Sequence, residues 1–201
     1  MRLPKHAYTS RPWRMHEIAP DFRLDSVWAL PTPGGADDLV HLVEQFADSN
    51  EGHLESPVPR LLFAIRWRIG KLMGWDKPDD GVGARVPTLR DRLPADLRAG
   101  LRGPDLRTVP FASVFQTRDE WVAEWANRTV QAALHIGWVA DGAGGHHGEM
   151  TVLVKPNGRL GTLYLAAIKP FRYLGVYPAL IRSIGQEWQD GAAARRGVAL
   201  P

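Results

Sequence analysis

The chain contains no cysteine, which excludes a disulfide framework, a thiolate metal site and a cysteine nucleophile, and which fits a reducing cytoplasmic compartment. The opening "MRLPKHAYTSRPWRMHEIAP" has no apolar run of the kind a signal peptide needs. No uncharged stretch approaches the length of a membrane span, so a soluble, cytoplasmic protein without a membrane span is expected. Charge of one sign is also scarce: 25 Lys and Arg stand against 22 Asp and Glu, a net +3, although the isoelectric point is about 9.4. Without a basic stripe interleaved with spaced aromatics, nucleic acid is not an expected partner. "GVGARV" lacks a third glycine and does not follow a strand, and no serine sits in a nucleophile-elbow pattern. In "GGHHGE", adjacent His146 and His147 with Glu149 do not supply the spaced ligands of a preorganised metal site. No metal and no cofactor are expected.

What is present is a large apolar fraction, 44% of 201 residues, enough for the core of one large domain. Twenty glycines and sixteen prolines cluster between apolar segments and form no low-complexity tract. The expected organisation is an N-terminal arm over 1–12, one domain over 13–190 with a long loop or insert at 76–108, and a flexible tail over 191–201.

"DFRLDSVWALPTP" suggests a first strand with irregular alternation, stopped by proline. Two helices follow, one with Leu39, Leu42, Val43 and Phe46 at helical spacing, the other with Leu61, Leu62, Ile65, Ile69, Leu72 and Met73 on one side. A short helix is expected near "RDRLPADLRAGL". From Phe111 the period becomes two in "FASVFQT", "EWVAEWANR", "TVQAALHIGWV", "GEMTVLVKP" and "RLGTLYLAAIK". The joints "TRDE", "ADGAGGHHG" and "PNG" are turn-like, and "PNG" reads as a tight hairpin. Short joints between successive strands predict an antiparallel meander.

"AAIKPFRYLGVYPALIRSIGQEW" closes the pattern as an amphipathic helix, with Tyr173, Leu174, Tyr177, Leu180, Ile181, Ile184 and Trp188 on one arc. Pro170 suits a helix start, whereas Pro178 removes an internal hydrogen bond and predicts a bend.

These elements describe an α+β fold in which a curved antiparallel sheet wraps a long kinked C-terminal helix, with two N-terminal helices. The order resembles the helix-grip superfamily of Bet v 1 and START-like proteins, which includes polyketide cyclases and dehydratases and lipid or hormone carriers. More narrowly, "RMHEIAPDFRLDSVWALPTP", "NRTVQAALHIGWV" and "VLVKPNGRLGTLYLAAIKPFRYLGVYPALIRSIGQEW" resemble a bacterial family known as domain of unknown function 2867. That resemblance runs from about Trp13 to Trp188. Some members of that family sit behind a short-chain-dehydrogenase-like domain, which implies a separate oxidoreductase as a partner for this chain.

A curved sheet gripping a helix leaves room for an apolar pocket between them, and the leading expectation is a site for a hydrophobic or aromatic small molecule. Its candidate binding residues are Arg66, Trp121, Trp125, Trp138, Tyr164, Leu174, Tyr177 and Ile181. Arg66 stands on an otherwise apolar helix side, as an anchor for a ligand anion or as a snorkelling stem. The tryptophans supply large contact areas for a ligand or for the core. One alternative is a polyketide cyclase or dehydratase-like enzyme with Glu124 or His135 as acid or base. Against it stand an edge-strand acid and a structural histidine. The other alternative is an interaction module working with a separate oxidoreductase. Lys155, Lys169 and Arg172 read as rim charges, and Asn127 with Thr129 as residues that fix a turn.

Overall fold

The computed structural model describes residues 1–48, 82–83, 86–107 and 109–198. The second expected N-terminal helix, with Arg66, lies outside the described residues. The chain order is β1 (Arg2–Leu3), α1 (His6–Thr9), α2 (Met15–Ile18), β2 (Arg23–Ala29), α3 (Leu39–Asp48), a single 3-10 turn (Leu89–Arg92), α4 (Ala95–Ala99), β3 (Ala112–Gln116), β4 (Glu120–Ala126), β5 (Val130–Ala140), β6 (His146–Pro156), α5 (Gly158–Phe171), a π turn (Arg172–Val176) and α6 (Tyr177–Val198). The fold is α+β: one six-stranded sheet in the order β1-β2-β6-β5-β4-β3, antiparallel throughout, with a long C-terminal helix.

β3 to β6 form the expected meander, and the turn between β4 and β5 is held by Asn127, whose Oδ1 accepts from Thr129 N, Thr129 Oγ1 and Val130 N at 2.8, 2.9 and 3.0 Å. One side-chain oxygen thereby satisfies three donors that the reversing chain leaves behind. The fifth segment read as period two, "RLGTLYLAAIK", is a helix. Both edges of β6 are already taken, one by β5 and the other by β2, so a further strand has no ladder to join. Gly158, at φ 77°, turns the chain out of the sheet, and the Leu- and Ala-rich run that follows favours helix.

The sheet is buried on both faces. Trp121, Ile136, Trp138 and Met150 pack with Leu39, Leu42, Val43 and Phe46 of α3 and with Ile181, Ile184 and Trp188 of α6. On the other face Val122, Ala133, Val139 and Leu153 pack with Tyr8, Trp13, Met15, Ile18, Leu89, Leu93 and Leu97. A bulge between Ser113 and Phe115 lets consecutive Val114 and Phe115 join that second core. At the N-terminus β1 pairs with β2, and the Met1 ammonium donates to Ala29 O at 3.0 Å. Described residues 86–107, inside the expected loop, cover the sheet with buried Leu89, Leu93 and Leu97. α6 runs on to Val198 through the start of the expected tail.

Where the sequence predicts a bend, the C-terminal helix widens into a π turn. Pro178 is the second residue of α6, directly after the widened Arg172–Val176 segment. Its missing N–H therefore falls at a junction where the regular ladder is already interrupted. Pro170 lies inside α5, just before that junction, and not at a helix start.

Candidate functional site

β2 carries an interruption, Asp25–Ser26, where its pairing with β6 shifts register between Leu24 and Ser26. The bulge brings Asp25, Ser26 and Trp28 together beneath the π turn. Arg172 Nη2 donates to Asp25 Oδ1 at 3.2 Å, the Tyr173 hydroxyl donates to Asp25 O at 2.7 Å, and Arg172 Nη1 reaches the Tyr177 hydroxyl at 3.5 Å. The Trp28 ring lies 5.3 Å from Tyr177 and 6.1 Å from Tyr173, and the two tyrosine rings are 5.7 Å apart edge to face. Arg2 sits over the Tyr173 ring at 4.5 Å and Lys169 at 5.7 Å.

This cluster is buried yet incompletely satisfied. Among the described residues six buried side-chain polar atoms have no hydrogen-bond partner, and four are here: Asp25 Oδ2, Ser26 Oγ, Trp28 Nε1 and Arg172 Nε. Ser26 is 2% exposed and Trp28 6%. Orphaned buried groups are rare because each forfeits its hydration without recompense. Burial pushes the Tyr177 hydroxyl above the usual tyrosine range, and burial followed by the Asp25 charge does the same to Tyr173. The Ser26 side chain partly offsets both shifts.

The opposite sheet face holds a second set of buried polar groups. Glu124 is 2% exposed and caps the 3-10 turn: it accepts from the Thr88 hydroxyl, from Leu89 N at 3.0 and 3.1 Å to its two oxygens, and from Gln131 Nε2 at 3.2 Å. Both carboxylate oxygens are therefore engaged by the protein itself. His135 lies on the same face, its Nε2 3.3 Å from Glu120 Oε2 and its ring edge-on to Tyr8 and Trp13. Its Nδ1 has no partner. Glu120 in turn accepts from Arg14 N at 2.7 Å and Met15 N at 3.4 Å, which ties α2 to the sheet. Glu120, Gly137 and Glu149 are cross-strand neighbours. A side chain at Gly137 would strike the Trp13 ring, its Cβ falling 2.7 Å from that ring, so the glycine makes the seat for Trp13 between two acids. Burial first, and the Glu120 charge second, hold the Tyr8 hydroxyl well above the usual tyrosine range.

The residues expected to bind ligand are thus placed as follows. Trp121, Trp138, Tyr177 and Ile181 share the core between the sheet and α6. Trp121 and Trp138 donate their indole N–H to Ser113 Oγ and Gly35 O, both at 2.8 Å. Trp125 is on the same sheet face in a smaller cluster beside Phe111. Leu174, within the π turn, is 84% exposed. The Arg66 position and the Tyr164 side chain lie outside the described residues. Glu124 and His135 are on the face away from α6. Sequence reasoning passed over Asp25, Ser26 and Glu120 and read Arg172 as a rim charge. The available signal was the broken alternation at "LDSVW", where two polar residues interrupt an apolar strand.

No group of three or more metal-ligating acids, histidines or cysteines occurs among the described residues, and no helix of those residues is long and apolar enough to cross a membrane. No curated protein and no solved structure matches the chain. A family model described as "Protein of unknown function (DUF2867)" matches residues 18–179, from the end of α2 to the first turn of α6, and so spans β2, the meander and the π turn. The chain belongs to the DUF2867 family.

Proposed function

We propose that this protein is a helix-grip domain that binds a small molecule with an aromatic or hydrophobic body between β2 and the start of α6. One observation carries the reading. Four buried polar atoms without partners lie in the region where sheet and C-terminal helix meet, with Arg172 bonded to Asp25 and Trp28 packed on Tyr177. Three aromatic rings surround them, so apolar contact would supply affinity and the polar atoms orientation. A π segment adjoins them, a feature that recurs at functional sites. The acid–base alternative draws support from His135 alone, through its unpartnered Nδ1 and its Glu120 partner, since Glu124 spends both oxygens on the 3-10 turn.

The test uses N-phenylnaphthylamine, an uncharged aromatic probe whose fluorescence rises on leaving water. Saturable one-to-one binding is expected, weakened at least about tenfold by Tyr173→Ala, which removes one wall, and unchanged by Val40→Ala on the exposed side of α3. Binding that does not saturate, or that ignores Tyr173, counts against the proposal.

A further inference from the structure

The geometry points to the chemistry of the ligand's head: we infer that it presents a hydrogen-bond acceptor beside a donor with no net charge, as in a primary carboxamide or a lactam. The inference rests on the binding reading above and sharpens it. Of the four unpartnered atoms, Arg172 Nε and Trp28 Nε1 can only donate, Asp25 Oδ2 can only accept, and Ser26 Oγ can do either. A head with an acceptor oxygen for the donors and an N–H beside it for Asp25 complements that set.

Charge selects against the simpler heads. A bare carboxylate would suit Arg172 and Trp28 but would set a second negative charge against Asp25 Oδ2, with no proton to share. A bare ammonium would suit Asp25 but would face the Arg172 guanidinium. Arg172 and Asp25 already neutralise each other across 3.2 Å, with side chains 17% and 11% exposed, so the buried set as a whole invites a neutral group. Arg2 and Lys169 are exposed and stacked on Tyr173, where solvent and salt screen their field. The rings of Trp28, Tyr173 and Tyr177, 5.3 to 6.1 Å apart, favour a planar body attached to that head.

Isothermal titration of the full chain with four fused-ring aromatics tests this. Naphthamide carries the paired acceptor and donor, and 2-quinolone, a fused-ring lactam, carries the same pair from the other chemical source. N,N-dimethylnaphthamide lacks the donor, and naphthoate replaces it with charge. At least one of the first two is expected to bind at least about tenfold more tightly than both of the others. Asp25→Asn should cut the preference over naphthoate to less than about threefold, by removing the repulsion. Ser26→Ala, which leaves the ion pair untouched, should weaken naphthamide and spare the dimethyl compound, and it serves if Asp25→Asn fails to fold. Equal affinity for all four overturns the head-group inference and leaves the binding site standing. Tightest binding by naphthoate overturns it in favour of an anion. Saturable binding by none of the four overturns both readings.

Discussion

Replacing Glu124 by alanine tests whether a carboxylate buried on the face away from α6 is structural. The side chain receives the Leu89 N–H, the Thr88 hydroxyl and the Gln131 amide. After truncation Gln131 Nε2 still has Pro87 O at 3.2 Å, and Thr88 Oγ1 still accepts from Arg90 N at 3.1 Å. Leu89 N–H is left with nothing, beneath a side chain that is fully buried. A stranded buried donor costs about 1–3 kcal/mol, and weakening the two remaining contacts adds a similar amount, so about 2–5 kcal/mol is expected in all. That is a large part of the stability of an ordinary domain. Glu124→Gln keeps one acceptor oxygen for Leu89 and sets an amide against the Gln131 amide, for a loss of about 1–2 kcal/mol. Urea unfolding followed by circular dichroism gives both values, and hydrogen exchange at Leu89 locates the effect, since its amide should exchange faster in both variants. A loss below about 0.5 kcal/mol for Glu124→Ala, with Leu89 still protected, would refute the capping argument.

Three further outcomes follow from other parts of the structure. An added Cβ at Gly185 falls 2.3 Å from Pro31 Cγ and at Gly161 2.0 Å from Thr129 O; each Gly→Ala change should destabilise by about 1–3 kcal/mol despite better helix propensity. Gly191→Ala, which meets only the end of the Arg195 side chain at 3.3 Å, should be neutral or stabilising by up to about 1 kcal/mol in the same urea unfolding assay. Tyr8, Tyr173 and Tyr177 are all raised by burial first, so no more than one of the four tyrosines should ionise near about pH 10 while the circular dichroism stays native. The stability from burying neutral phenols is complete below that pH and declines as pH rises above it; three phenolates forming together in folded protein would contradict this. Asp21 is held well below the usual carboxylate range, chiefly by Arg92 at 2.6 Å and then by Lys155 at 2.7 Å. Its contribution is present above about pH 4 and lost as pH falls further, so Asp21→Asn should flatten the acid limb of the stability profile, and an unchanged limb would show that the bridge adds nothing.

Much of the sheet was legible in the sequence because turn residues punctuate it. "TRDE" and "ADGAGGHHG" separate β3 to β6 where their chemistry predicts. The segment after "PNG" was misread because leucine and alanine runs do not tell strand from helix on their own, and because the hairpin signal is local while the vacancy of a sheet edge is not. β2 returns from far upstream to occupy that edge. The alternation of β4 and β5 marked which residues share a face but not which face meets the helix. With both faces covered, Trp121 and Glu124 are equally hidden, and burial alone does not rank them as ligand contacts or structural caps.

Composition and pattern by themselves determined a chain without thiol chemistry, an α+β order of elements, an antiparallel meander, and an amphipathic C-terminal helix interrupted near its prolines. These are local or additive properties, carried by residue type and period. Only the tertiary structure decided that the interruption is a π turn, that Leu174 faces solvent while Arg172 faces Asp25, and that Glu124 closes a 3-10 turn contributed from the segment around residue 88. Each depends on which distant backbone approaches which side chain, and a hydrogen bond formed between residues far apart in sequence leaves no periodic trace. The polar interruption at Asp25–Ser26 marks the limit most clearly. The sequence shows that an apolar strand is broken there, and the fold shows what the break is turned toward.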